Sequence, residues 1–121
     1  LDRLQSERLP PRVAARAGAT AFVFDAREIL RFRATRKYVA FTHRGRDYLT
    51  EESIAALEER LAPWNFVRVH RSELVNLARV VALHTEGTSA TLELEGGVRV
   101  PVSRRRVADL RRGLGLRTSD E

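Results

Sequence analysis

The sequence contains no cysteine, which excludes disulfides, thiolate zinc sites and thiol nucleophiles together and suits a reducing cytoplasm. No apolar run approaches the ~20 residues of a membrane-spanning helix, so we expect no membrane contact by this domain. Lysine is almost absent, because the 22 basic residues are 21 arginines and Lys37. What remains is a chain of 121 residues, 43% hydrophobic and 31% charged, which is enough for one globular domain.

Positive charge is gathered into two zones of the chain. The formal net charge is +6; residues 25–50 contain seven basic and three acidic residues, and residues 99–112 contain six basic and one acidic. Residues 51–62 and 85–98 each carry a net charge of −3. Charge collected in this way is typical of a face that binds a polyanion. A solvated arginine-rich surface would give the same count, and on charge alone both interpretations stay open.

The composition divides the chain into three parts. Residues 1–13 have mixed charges, two prolines and little periodicity, and are predicted to be a linker from an upstream region. Residues 14–114 form the predicted domain, and residues 115–121 form a C-terminal tail. The first residue is Leu1, so we expect the chain to be a fragment of a longer protein.

The pattern of apolar residues predicts a mostly β domain with two short helices. Short alternating runs separated by turn residues indicate antiparallel strands, with hairpin turns at Arg44-Gly45 and Gly96-Gly97. The predicted strands are residues 20–24, 29–33, 37–43, 46–50, 66–70, 79–83, 88–95 and 98–102.

The first predicted helix follows Thr50, which is placed as its N-cap. Ile54, Leu57 and Leu61 recur at helical spacing and form its apolar face. The helix is expected to end before Pro63, because proline interrupts a helix.

The second predicted helix begins at Ser103 and carries three arginines in its first turn. The helix dipole disfavours each exposed cation there by up to ~0.3–1 kcal/mol. Arg104, Arg105 and Arg106 make sense if a phosphate backbone passes nearby, since a helix N-terminus also offers free N–H groups to anions. Arginine can also read guanine through two parallel hydrogen bonds. We therefore predict an anionic partner at this segment.

The stretch FVRVHRSELVNL, residues 66–77, places polar groups in a bend after a strand. Arg71 and Ser72 follow the strand directly and are candidates for contact with a partner, because loops on rigid strands often carry function. His70 and Asn76 are predicted to support the bend through hydrogen bonds.

Two segments, FVRVHRSELVNLARVVAL and VRVPVSRRRVADL, resemble the LytTR family, the DNA-binding output domain of LytR/AlgR/AgrA-type response regulators. The upstream order DAREILRFRATRKYVAFTHRGRDYLTEESIAALEERL also fits, so the resemblance covers roughly residues 15–112. It implies an elongated LytTR-like fold of antiparallel β-sheets with a small helix. It also implies a bacterial two-component transcription regulator whose loops enter successive major grooves of double-stranded DNA. Two copies would bind promoter repeats as a dimer on DNA.

Carried over by position, the resemblance implies three base contacts. Lys37 stands in the loop before a predicted strand, Arg71 in the bend after another, and Arg105 in the stretch after Ser103. The neighbouring side chains are implied to hold phosphates: Arg36, Ser72, Arg104 and Arg106.

Glu73 departs from the family, in which an aromatic residue is common at this position. An acid beside the path of DNA would repel it, because the DNA backbone is a dense line of negative charge. Glu73 is therefore predicted to point at Arg71 or Arg68.

An enzyme is not expected. His43, His70 and His84 lie in separate predicted strands without metal-ligand spacing. Ser72 is close to His70, but no Gly-rich phosphate loop or paired carboxylate is present. No catalytic residue, metal or cofactor is predicted.

Two other binding functions stay open. A basic β-rich domain can bind RNA by stacking single-stranded bases on aromatic rings, although aromatic residues are only 7% of this chain. A basic protein-interaction module would instead meet an acidic partner. Dependence of affinity on DNA sequence distinguishes both from the expected function.

Overall fold

The computed structural model describes residues 11–116. Within them the chain forms ten strands and two short α-helices, which confirms the predicted mostly β fold. The elements are β1 (Arg12–Ala17), β2 (Thr20–Asp25), β3 (Arg31–Ala34), β4 (Val39–His43), β5 (Arg46–Thr50), α1 (Ile54–Leu61), β6 (Phe66–His70), β7 (Glu73–Asn76), β8 (Val80–Glu86), β9 (Ser89–Leu94), β10 (Val98–Val102) and α2 (Val107–Gly113).

The strands form two antiparallel sheets. The large sheet has seven strands in the order β2-β1-β5-β4-β3-β7-β6, and the small sheet has three in the order β10-β9-β8. Most neighbours are joined by short connections, but β3 pairs with β7 across about forty residues of sequence, with Arg33 opposite Glu73. This pairing attaches the β6–β7 hairpin to the rest of the large sheet.

Two hydrophobic cores cover opposite faces of the β6–β7 hairpin. The first core lies between the large sheet and α1 and includes Phe66 and Leu74. The second core lies between the hairpin, the small sheet and α2, and includes Val69 and Val75. All four residues of β7 are buried as a result. This strand is therefore held from both sides, as a central layer of the molecule.

Both predicted hairpin turns are confirmed. Arg44 and Gly45 join β4 to β5 with φ values of 53° and 79°, and Gly96 and Gly97 have φ values of 78° and 80°. Two consecutive positive φ angles give a tight turn whose twist matches that of the flanking strands.

Strand β1 begins at Arg12, inside the segment that was expected to be linker. Val13 and Ala15 are buried and their neighbours Ala14 and Arg16 are exposed, so the strand does alternate. Its apolar face consists mainly of alanine, which has low β propensity, and this made the signal weak. The other residues of the predicted linker, 1–10, and most of the predicted tail, 117–121, lie outside the described residues.

The N-cap prediction for the first helix is wrong. Ser53 caps α1, and its Oγ accepts a hydrogen bond of 3.1 Å from the Ala56 amide. Thr50 instead closes β5 opposite Val39 and is buried. The predicted apolar face of Ile54, Leu57 and Leu61 is buried in the first core.

The three consecutive arginines do not begin an α-helix. Arg104–Arg106 form a separate 3-10 turn, and Ser103 makes no side-chain cap hydrogen bond. Helix α2 starts only at Val107, with seven residues. The helix dipole therefore gives no reason to expect an anionic partner at this segment.

Asn76 joins β7 to the segment before β3. Its side chain is buried, and its amide donates to the carbonyls of Arg27 and Ile29 at 3.3 and 3.2 Å. Its carbonyl oxygen accepts from the Ala78 amide at 3.0 Å. One side chain thus satisfies three backbone groups in parts of the chain far apart in sequence.

We predict that Asn76→Ala lowers the free energy of unfolding by about 1–3 kcal/mol, because buried backbone groups lose their partners. Urea unfolding at neutral pH measures the change. The control is Thr88→Ala in the exposed β8–β9 turn, which should change the stability by less than about 0.5 kcal/mol. Equal stability of the two variants would contradict the role given to Asn76.

Candidate nucleic-acid interface

The register of the large sheet brings three connections to one end, which we call the loop end. Val39 pairs with both Ala34 and Thr50, so the β3–β4 loop lies beside the β5–α1 loop. The Ala34 amide donates to the Ser72 carbonyl at 2.9 Å, which brings the β6–β7 turn to the same end. The loop end is defined by residues 35–38, 51–53 and 71–72.

The segment after β10 reaches the loop end through β6. The Ser103 amide donates to the Val69 carbonyl at 2.8 Å, two residues before Arg71. Residues 103–105 therefore lie beside the β6–β7 turn. The three segments predicted to contact bases, which are far apart in sequence, are on one side of the molecule.

Five cations in these segments are free to meet an external anion. Each is exposed, and within residues 11–116 the side chain of none forms an ion pair or hydrogen bond. Many other arginines are engaged, as Arg60 is with Glu52. The five free cations are Arg36, Lys37, Arg71, Arg104 and Arg105.

The presence of unpaired cations does not by itself identify the loop end as the interface. Arg44 and Arg46 are also exposed, form no ion pair with a described residue, and lie at the end of β4 and β5 opposite to the loop end. The loop end and the adjacent residues 103–105 together have the larger group, with five free cations, and the β6–β7 turn is also tightly held. Arg44 and Arg46 are useful as controls.

His70 and Ser72 fix the β6–β7 turn from within. The Ser72 amide donates to His70 Nδ1 at 3.2 Å, and Ser72 Oγ lies 3.1 Å from the same nitrogen. Both side chains are half-buried. Ser72 Oγ is therefore oriented by His70, while the neighbouring Arg71 side chain extends freely from a fixed backbone.

Arg106 is placed differently from its two neighbours. Its Nη1 donates to the Arg68 carbonyl at 3.0 Å, and its Nε is buried without a hydrogen-bond partner among the described residues. The side chain is thus turned into the protein. The geometry does not support the predicted phosphate contact of Arg106, whereas Arg104 and Arg105 are exposed.

The predicted orientation of Glu73 is wrong. Its carboxylate accepts hydrogen bonds from Arg31 at 3.0 Å and Arg33 at 3.2 Å, and the residue is only 3% exposed. The cause is the pairing of β7 with β3, which places Glu73 opposite Arg33. The acid is therefore neutralised by two arginines of the neighbouring strand and does not face Arg71 or Arg68.

Glu73→Ala should lower the free energy of unfolding by about 1–3 kcal/mol, because two hydrogen bonds to charged groups in a buried site are lost. Glu95→Ala is the matched control, since Glu95 also pairs with an arginine, Arg79, but is 51% exposed. An exposed pair contributes only ~0–1 kcal/mol. Chemical denaturation compares them, and a larger loss in the Glu95 variant would count against the role of Glu73.

The carboxyl groups with clearly lowered pKa values are outside the loop end. Hydrogen bonds from the Arg27 side chain lower the pKa of Asp25 from its ordinary value of 3.8. The hydrogen bond with His84 similarly lowers the pKa of Glu93. Asp25 ends β2 beside Arg12, and Glu93 lies within the small sheet.

The histidines are in separate strands, as predicted: His43 in β4, His70 in β6 and His84 in β8. In the described part of the chain, no group of three or more His, Cys, Asp or Glu side chains is arranged to hold a metal ion. Over the same residues, no helix is long and apolar enough to span a membrane.

A family model described as the LytTr DNA-binding domain matches residues 19–115. The match includes all three segments at and beside the loop end. The chain belongs to the LytTr DNA-binding domain family. This LytTr domain is accordingly a DNA-binding domain of the kind that acts in transcription regulation.

Two curated relatives are transcription regulators. The LytTr domain is 36% identical over 96 residues to the heme-containing CO-sensing transcriptional regulator RcoM 1 of Paraburkholderia xenovorans strain LB400, a match that covers 78% of this chain and 36% of that protein. It is 38% identical over 76 residues to the transcriptional regulatory protein BtsR of Escherichia coli strain K12, which covers 62% of this chain and 30% of BtsR. The chain thus spans about a third of the length of these relatives.

A solved structure has the same fold. A LytTr DNA-binding domain from Bacillus cereus matches with a TM-score of 0.78 and 23% sequence identity, covering 87% of this chain and 97% of that domain. The likeness confirms the arrangement of sheets described above for the LytTr domain.

Proposed function

We propose that this LytTr domain is the output domain of a bacterial response regulator and binds double-stranded DNA in a sequence-specific manner. The observation that carries the proposal is the collection of exposed, unpaired cations from three separate segments at one side of the molecule. In this proposal Lys37, Arg71 and Arg105 read bases. Arg36, Ser72 and Arg104 hold phosphates, and Arg106 supports the segment from inside.

The proposed recognition uses turns instead of a helix. The major groove of B-DNA is wide enough to admit a hairpin turn, and lysine and arginine match the two acceptors on the edge of guanine. A turn whose backbone is already fixed loses less conformational entropy on binding. The hydrogen bonds of Ser72 to His70 and Ala34 provide that rigidity beside Arg71.

We further propose that two copies of the domain bind repeated half-sites in promoters, with the three segments entering successive major grooves. Half-sites on one side of the duplex are separated by about one helical turn. Binding to chromosomal DNA places the protein in the cytoplasm. In a two-component system, this domain would supply the output that follows signal input.

Single-stranded RNA is the less suitable ligand. Stacking needs exposed rings, and most aromatic side chains here are packed in the first core, as Phe32, Phe41 and Phe66 are. Tyr38 is the aromatic residue exposed at the loop end, at 45%. Competition between duplex DNA and single-stranded RNA for the domain compares the two directly, and stronger binding of RNA would contradict the proposal.

We predict that Arg105→Ala weakens binding to the preferred duplex by about 1–3 kcal/mol and relaxes the preference at one base position. Selection of bound duplexes from a random pool, with the original and variant domains, measures both effects. If the variant loses the same affinity on every sequence, Arg105 contacts phosphate and does not read a base.

Binding should also weaken steeply as salt rises, because phosphate contacts release counterions from DNA. Arg104→Ala should make the slope of log affinity against log salt shallower by about one. The control is Arg46→Ala, which removes an equally free arginine from the opposite end of the sheet. A slope that changes equally in both variants would show that the loop end is not the contact surface.

A further inference from the structure

Arg68 is a charged residue within β6, with Val67 and Val69 as its neighbours. Its side chain is only 18% exposed, whereas Arg71, three residues later, is exposed. Arg68 is thus poorly placed to touch DNA. Its guanidinium instead forms hydrogen bonds with other groups of the protein.

One edge of the Arg68 guanidinium holds the β6–β7 turn. Nε and Nη2 donate to the Arg71 carbonyl at 3.2 and 2.6 Å. The remaining nitrogen, Nη1, donates to Glu58 Oε1 of α1 at 2.8 Å. The planar guanidinium therefore links the backbone of the turn to a helix of the first core.

The same residue also anchors the third segment. Arg106 Nη1 donates to the Arg68 carbonyl, and the Ser103 amide donates to the carbonyl of the next residue, Val69. Two adjacent peptide groups of β6 thus hold the segment that carries Arg104 and Arg105. Arg68 therefore helps to hold both the β6–β7 turn and the segment that follows β10.

We infer that Arg68 is a positioning residue that determines the base preference of Arg71, an inference that rests on the proposed function. Arg68 fixes the carbonyl of Arg71 from behind, so the Arg71 side chain starts from a defined point at the loop end. Two parallel hydrogen bonds to guanine require such placement, and a shift of about 1 Å at a supporting residue is enough to spoil it.

The chain contains a matched control for this contact. Arg79 holds the Arg27 carbonyl with Nε at 3.2 Å and Nη2 at 2.8 Å, and its Nη1 donates to Glu95 at 3.4 Å. The arrangement is similar to that of Arg68, but the Arg27 carbonyl lies beside Asn76, at the end of β7 away from the β6–β7 turn. Replacing Arg79 by alanine therefore removes a similar support of a backbone carbonyl without removing a contact of the β6–β7 turn.

The experiment uses the duplex selected by the original domain, together with duplexes changed at the base where Arg71→Ala relaxes the preference. Affinities are measured for Arg68→Ala, Arg71→Ala, the double variant and Arg79→Ala, each over a salt series. For Arg68→Ala we expect the preference at that base to fall about tenfold or more, as expected for a lost bidentate contact. The salt slope should stay within a few tenths of its original value, because no phosphate contact is removed.

The double variant separates positioning from general support. If Arg68 acts through Arg71, removing Arg71 from the Arg68→Ala background should change the preference at that base by less than about twofold, since the contact is already lost. Arg79→Ala should keep the full preference. Glu58→Gln should keep most of it, because the amide oxygen still accepts a hydrogen bond from Arg68.

Arg68→Lys covers the case in which Arg68→Ala does not fold. Lysine keeps the positive charge but has one nitrogen, so it cannot hold the Arg71 carbonyl and Glu58 in the same geometry. We expect it to lose the same preference while retaining the thermal unfolding midpoint of Arg79→Ala within a few degrees.

Three results would overturn the inference. A salt slope shallower by about one in Arg68→Ala would make Arg68 a phosphate contact. Equal loss of affinity on all duplexes, matched by Arg79→Ala, would make it a general structural residue. An unchanged preference in both Arg68→Ala and Arg68→Lys would exclude positioning. If the original domain itself shows no sequence preference, the proposed function fails, which is a separate outcome.

Discussion

The β6–β7 hairpin lies between two hydrophobic cores, and this double burial joins the two sheets into one molecule. Phe66 and Leu74 face the large sheet and α1, whereas Val69 and Val75 face the small sheet and α2. Close-packed interiors transmit small displacements because they contain little free volume. The turn at the end of this hairpin is therefore among the better-fixed parts of the loop end.

The arginines of the LytTr domain divide into two groups by what their guanidinium groups contact. Some hold the protein together, such as Arg68 on the Arg71 carbonyl and Arg31 on Glu73. Others, such as Arg71 and Arg105, are exposed and free of protein partners among residues 11–116. The planar guanidinium suits both tasks, since it donates in fixed directions to carbonyls, carboxylates, phosphates and bases. Net charge alone does not separate these groups.

Features that depend on residues close together in the sequence were mostly predicted correctly. The hairpin turns at Arg44-Gly45 and Gly96-Gly97 follow from their glycines, which tolerate positive φ. The buried face of α1 follows from helical spacing. Strand β1 was missed because alanine gives a weak pattern. Strand β7 was also missed, because Glu73 and Asn76 at its two ends are polar and are buried only by tertiary contacts. The cap of α1 was placed three residues early because Thr50 and Ser53 are both good cap residues.

The sequence by itself determined the mostly β fold, the LytTR resemblance and the segments that carry candidate DNA contacts, because these depend on residue types and short spacings. Only the tertiary structure decided which arginines are free. The orientation of Glu73 and the inward turn of Arg106 result from the pairing of β3 with β7 and from the contact of the β10–α2 connection with β6. These contacts join residues about forty positions apart, and no local pattern specifies the direction in which such a side chain points.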